Sequence, residues 1–243
     1  MKKLRLHEEI LLLALKDEEG KTYSGTSWPY AVGGAVLAEL LLEGRLRLDE
    51  RDRKKYVTVV NGTPFGEPVF DQVLEKMATA KKSADMTTWL GRVAGMKDLK
   101  HQIAEQLALR GVLQIETHKV MLIFSQRVYP ELDPRAELEI MHRVEHAVFS
   151  DDSDLDPRTA ILVSLAHVSG ILVPVFGKKR VAERKERLDR ITEERPSAEA
   201  ARAAIEATQA AMAAIKQFQF APLPSGQSAV EQWGVITIVF RLN

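Results

Sequence analysis

The chain has 243 residues, 45% of them hydrophobic, and its 34 basic and 34 acidic residues leave no formal net charge. That content supports a substantial core, while the charge balance argues against a protein that holds nucleic acid mainly by neutralising phosphates. The absence of cysteine removes disulfides, thiolate metal sites and thiol nucleophiles, and it fits a reducing compartment.

The first predicted helix, 4–17 (LRLHEEILLLALKD), is apolar almost all round, which places it centrally in the core. Its apolar run is shorter than the roughly 18 to 20 residues that span a bilayer, and Glu8 and Glu9 are unlike the basic start of a signal peptide. A cytoplasmic protein is therefore expected. Ser27 ahead of Trp28 and Pro29 marks the start of a second helix, with proline at the tolerated first position. That helix ends at Gly44. Apolar and polar residues then alternate through 45–49, expected to pair with 56–60 as a hairpin. A loop at 61–68 leads to a helix at 69–80 with Val73, Leu74 and Met77 inward, and another begins at 86–93, interrupted by Gly95.

The helix, glycine and strand pattern then recurs. With Gly44 set on Gly111, Leu40 falls on Leu107, Leu46 on Leu113, Leu48 on Ile115 and Asp49 on Glu116. Glycine in both places suits a left-handed helix cap. The second hairpin is expected to join 112–117 to 120–124 through a polar turn at 116–119 (ETHK), with Val120, Met121, Leu122, Ile123 and Phe124 as a continuous apolar strand. Such a strand beside a polar turn fits a subunit contact or a core strand better than deep membrane insertion. Helix, glycine and hairpin together have the wiring of a winged-helix unit.

An amphipathic helix follows at 135–149, then an acidic loop at 151–156, an apolar helix at 159–173 opened by Pro157, and a charged helix at 178–195 closed by Pro196. Residues 198–216 are alanine-rich and strongly helix-forming; the tail holds an alternating segment at 235–240. The expected fold is mainly α: one globular helical domain, 1–217, with two winged-helix-like units, each with a hairpin, then a C-terminal tail, 218–243.

Catalytic patterns are weak. His142 and His146 share a helical face with Glu145, but a zinc-protease pattern needs the glutamate directly after the first histidine, where Arg143 stands. Ser164 near His167 lies in an apolar helix without a nucleophile elbow. Gly33 and Gly34 lack the rest of a phosphate loop, and Glu8 and Glu9 fit a helix N-terminal charge preference. No catalytic residue, metal or cofactor is expected, and the protein reads as a non-enzyme.

Four blocks in order, LRLHEEILLLALKD, LAELLLEGRLRL, LALRGVLQIE and AILVSLAHVS, resemble the Golgi phosphoprotein 3 family over most of the stretch from Leu4 to Phe176. The resemblance implies a mainly helical domain with a projecting β-hairpin, and a peripheral membrane adaptor that reads phosphatidylinositol 4-phosphate. Eukaryotic members sit on the cytosolic face of the Golgi and bind cytosolic tails of membrane enzymes. Lys97 and Lys100 fall on the family's basic pair at the start of the second-unit helix, and Trp28 lies in the loop of its pocket tryptophan after a gap of about four residues. The remaining pocket arginine falls at Gly33, which removes one charge-assisted contact of about 1.5–3 kcal/mol. In the family the second hairpin serves membrane insertion or self-association, so a homo-oligomer is a further expectation. A chain that starts three residues before the first block, without cysteine, points to a bacterial-type member. Two other readings remain. One is a winged-helix nucleic-acid binder using Arg45, Arg47, Arg51, Arg53, Lys54 and Lys55; the other is a protein-only adaptor.

Overall fold

The computed structural model describes residues 3–16, 20–51, 54–120, 124–152, 155–193, 204–205, 208–209, 211–213 and 215–216. The tail 218–243, with the strand expected at 235–240, lies outside the described residues. What is described is a mainly α single domain with two small antiparallel strand pairs.

Helices α1 (Leu6–Ala14), α2 (Trp28–Leu42) and α7 (Pro157–Val168) form its centre. Every residue of α1 is buried, as are Ala31 to Leu41 of α2. Helices with no polar face must be enclosed, and α2 is packed by α1, α7, α3 (Pro68–Ala78) and α4 (Met86–Ala94). Each buried leucine there contributes roughly 1.5–3 kcal/mol.

Charge inside this apolar centre is paired. Glu39 of α2 is 2% exposed; its carboxylate accepts the Leu6 N–H at 2.8 Å and a guanidinium N–H of Arg158 at 2.6 Å. Arg5 reaches the same carboxylate at 3.4 Å and Glu67 at 3.0 Å. Glu39 thus does for the start of α1 what an N-cap side chain usually does. Glu8 accepts the Arg5 N–H at 2.7 Å and a guanidinium N–H of Arg110 at 2.8 Å. Glu9 lies 2.8 Å from Arg143, an ion pair without hydrogen-bond alignment. Both glutamates lie in the first turn of α1, as the helix-dipole preference expects, and each also meets an arginine; burial raises the Glu9 pKa against the pull of Arg143.

The repeat is visible in the backbone. At the end of α2, the N–H of Gly44 (φ 64°) donates to Leu41 O and that of Arg45 to Leu40 O. At the end of α5 (Leu99–Leu109), Gly111 (φ 74°) and Val112 donate to Ala108 O and Leu107 O in the same way. Both are Schellman caps, in which only the glycine takes the left-handed conformation. Each leads to a hairpin: β1 (Leu46–Arg51) with β2 (Lys54–Val59), and β3 (Glu116–Val120) with β4 (Phe124–Val128).

The first hairpin has the expected pairing, Leu46 to Val59 and Asp49 to Tyr56. The second does not. Glu116 pairs with Val128 and Val120 with Phe124, so the polar segment 116–119 is strand, and Val120 and Phe124 are the last pair before the connection. Met121, Leu122 and Ile123, which make that connection, lie outside the described residues, as do the side chains of Val120 and Phe124. Thr117 and His118 are exposed on β3; a hairpin that leaves the core needs no apolar face, so polarity is a poor guide to where its strands run.

Helix α6 (Arg135–Phe149) has the predicted bounds. The helix expected at 159–173 ends instead at Val168, where Gly170 (φ 80°) caps it before α8 (Leu172–Phe176). The charged helix divides into α9 (Lys178–Glu183) and α10 (Lys185–Glu193) at Arg184, whose guanidinium donates to Phe149 O.

Candidate functional site

Helix α5 opens at Asp98, the only non-glycine with positive φ (59°) among the described residues. Aspartate tolerates that conformation. Its carbonyl accepts the Gln102 N–H at 2.9 Å, but its carboxylate makes no cap hydrogen bond, so the first turn keeps the anion preference of a helix N-terminus. Lys97 stands just before this turn and is exposed; Lys100 is within it and half-buried.

The Lys100 ammonium lies 5.7 Å from the centre of the Tyr129 ring and makes no ion pair among the described residues. Burial lowers its pKa, because the charged form is the one that loses hydration. A nearby anion would reverse that shift. His101 shares a hydrogen bond through Nδ1 with the Tyr129 hydroxyl, and its pKa is lowered by burial and then by the charge of Lys100. Lys100 and His101 line a cleft of about 630 Å³ with Asp98, Gln102, Glu105, Gln126 and Arg127, in which Arg127 and Glu105 form an ion pair at 3.1 Å. Sequence reading found Lys100 alone of these. Gln126 and Arg127 come from β4, whose register the polar segment 116–119 obscured.

Trp28 and Lys97 do not line this cleft. Trp28 is the first residue of α2, half-buried against the core, with the preceding Ser27 N–H donating to Ser169 O at 2.8 Å. Gly33 faces the end of α4: a Cβ there would lie 3.2 Å from Ala94 N and 3.3 Å from Leu90 Cδ1. Lys97 follows Ala94 by three residues. The position expected to carry arginine is thus beside the segment that carries the basic pair, but α2 and α4 meet there closely over a glycine.

His142 and His146 are exposed on α6, and no cluster of three metal-ligating side chains occurs among the described residues. The Ser164 hydroxyl donates to Ala160 O at 2.7 Å within its own helix. In the first hairpin Arg47 pairs with Asp49 at 2.9 Å; the side chains of Arg51, Arg53 and Lys54 lie outside the described residues.

The family model of Golgi phosphoprotein 3 matches residues 6–208, which take in both repeat units and the cleft. The chain belongs to the Golgi phosphoprotein 3 family. The chain is also similar to vacuolar protein sorting-associated protein 74 of Eremothecium gossypii, 25% identical over 205 residues. That match covers 71% of this chain and 61% of the relative, so the chain spans less than two thirds of the relative's length. No helix among the described residues is long and apolar enough to cross a membrane.

Proposed function

We propose that this member of the Golgi phosphoprotein 3 family is a non-enzymatic peripheral membrane adaptor of the cytoplasm. Its binding site is the start of α5, where Lys97, Lys100 and the first-turn N–H groups take an anionic phospholipid headgroup, phosphatidylinositol 4-phosphate by family resemblance. Trp28 contributes an amphipathic ring at the membrane interface. In a eukaryotic cell the location is the cytosolic face of the Golgi. Protein partners are cytosolic tails of membrane proteins, and the β3–β4 hairpin, with Val120 to Phe124 at its end, serves self-association or membrane contact.

One observation carries this reading: Lys100 is a half-buried cation without an ion-pair partner among the described residues, at the N-terminus of a helix whose cap carboxylate makes no cap hydrogen bond. Nucleic-acid recognition fits less well, because a reading helix must offer a polar face and α2 is enclosed.

The test is sedimentation with vesicles of neutral lipid alone or with phosphatidylinositol 4-phosphate, phosphatidylserine or cardiolipin. Anionic vesicles are expected to recruit the protein, and Lys97→Ala/Lys100→Ala to weaken recruitment at least about tenfold. Equal recovery of both proteins with every lipid would leave the protein-only adaptor instead.

A further inference from the structure

A second cleft, of about 560 Å³, opens where α3 ends and α4 begins, and every ionisable residue lining it is a cation. Lys76 comes from the last turn of α3, Lys81 and Lys82 from the connection, and Arg92 from the last turn of α4. Trp89 forms the floor, 4% exposed, with the Arg92 guanidinium 4.6 Å from its ring centre. The stacking holds Arg92 in place, so less side-chain freedom is lost when it binds an anion.

Three contrasts make this more than a solvated basic surface. The chain as a whole is neutral, with 34 basic and 34 acidic residues. Several of its partly buried arginines face carboxylates: Arg5 with Glu67 and Glu39, Arg110 with Glu8, Arg143 with Glu9, Arg158 with Glu39. None of the four cleft cations makes an ion pair among the described residues, and the cleft beside α5 contains Asp98 and Glu105 while this one contains no carboxylate. Four cations around one concavity concentrate positive potential that a single carboxylate does not balance.

We propose that the α3–α4 cleft is a second anion site that takes a multiply charged phosphate ester, either free in solution or borne on a lipid headgroup. Arg92 supplies a forked contact and the lysines supply point charges. The site is separate from the start of α5 and does not depend on it.

Calorimetric titration with inositol hexakisphosphate tests the free ligand, using wild type, Lys81→Gln/Lys82→Gln, Arg92→Gln and Lys97→Gln/Lys100→Gln. Lys178→Gln/Lys179→Gln controls for diffuse attraction at exposed lysines. Lys81 and Lys82 are exposed and outside helices, so their loss leaves the fold intact, as an unchanged melting temperature will show. Affinity at this site is expected to fall at least about tenfold in the first two variants and to hold within about twofold in Lys178→Gln/Lys179→Gln, while Lys97→Gln/Lys100→Gln removes only binding at the start of α5. In a second arm, vesicles with and without phosphoinositide are compared; dependence on Lys81, Lys82 and Arg92 there, without binding of the soluble ester, assigns the site to a lipid headgroup. Unchanged affinity and recruitment in Lys81→Gln/Lys82→Gln and in Arg92→Gln would overturn the proposal, as would loss confined to Lys97→Gln/Lys100→Gln.

Discussion

Helices α2 and α5 end in the same cap and lead to the same kind of hairpin, yet one is enclosed and the other faces solvent. Superposing Gly44 on Gly111 sets Gly33 on Lys100, Gly34 on His101, Glu39 on Gln106 and Leu42 on Leu109. In α2 the two glycines let neighbouring helices close in; a Cβ on Gly34 would meet Leu165 Cδ2 at 2.9 Å and Ala211 Cβ at 3.0 Å. In α5 the same positions hold side chains that line a cleft, and Leu109 is 82% exposed. One backbone unit thus serves as core in its first copy and lines an open cleft in its second, and side-chain size on one helix face accompanies the difference.

The largest expected effect separates the copies at Glu39 and Gln106. Glu39→Ala strands Arg158 and the Leu6 N–H in the interior and is expected to cost roughly 3–5 kcal/mol in chemical denaturation. Gln106→Ala, at the matching half-buried position, is expected to stay within about 0.5 kcal/mol. Comparable losses would break the comparison.

A smaller contrast is expected at the next pair. Gly34→Val overpacks the contact with Leu165 and Ala211 and should cost roughly 1–3 kcal/mol. His101→Val loses the hydrogen bond to Tyr129, about 1 kcal/mol, and the tilted ring contact with it.

Acid sharpens the picture of a dry interior around α1 and α2. His7 is buried edge-on to Phe70, and burial pushes its pKa down from 6.5 to about 3. The unfolded chain therefore binds a proton that the folded chain refuses. Stability from this group is intact above about pH 6.5 and falls as pH drops towards 3, by about 2 kcal/mol at pH 5. The stability of His7→Leu relative to wild type should shift in the variant's favour as the pH is lowered through that window. Parallel pH profiles would show that His7 is hydrated in the folded state.

Much of this was legible in the sequence because it is local. Gly44 and Gly111 announce their caps, since few other residues tolerate the left-handed conformation, and the apolar periodicity of 135–149 gives α6 to the residue. The matched charges were not legible, because Glu39 and Arg158 or Glu8 and Arg110 meet only through tertiary packing across more than a hundred residues of chain. The second hairpin misled for a related reason. Thr117 and His118 of β3 are exposed, so no alternating apolar face marked the strand, and the register that brings Gln126 and Arg127 to the cleft could not be inferred. Of the cleft, only Lys100 was readable, through the family resemblance, whereas Gln126 and Arg127 arrive from β4.

The smallest difference between the copies should be at the cap that they share. Ala at Gly44 or at Gly111 meets no neighbouring atom within 4 Å, so the cost is backbone strain alone, about 1–2 kcal/mol and equal at the two sites.

Recruitment to vesicles containing phosphatidylinositol 4-phosphate tests the division of labour most directly when Lys97→Ala/Lys100→Ala is set beside Arg47→Ala/Lys55→Ala, two exposed cations of the first unit's hairpin. If the second copy is the binding surface, recruitment falls at least about tenfold in the first variant and changes less than about twofold in the second. Equal losses in the two variants, or a loss only in the first unit's hairpin, would contradict it.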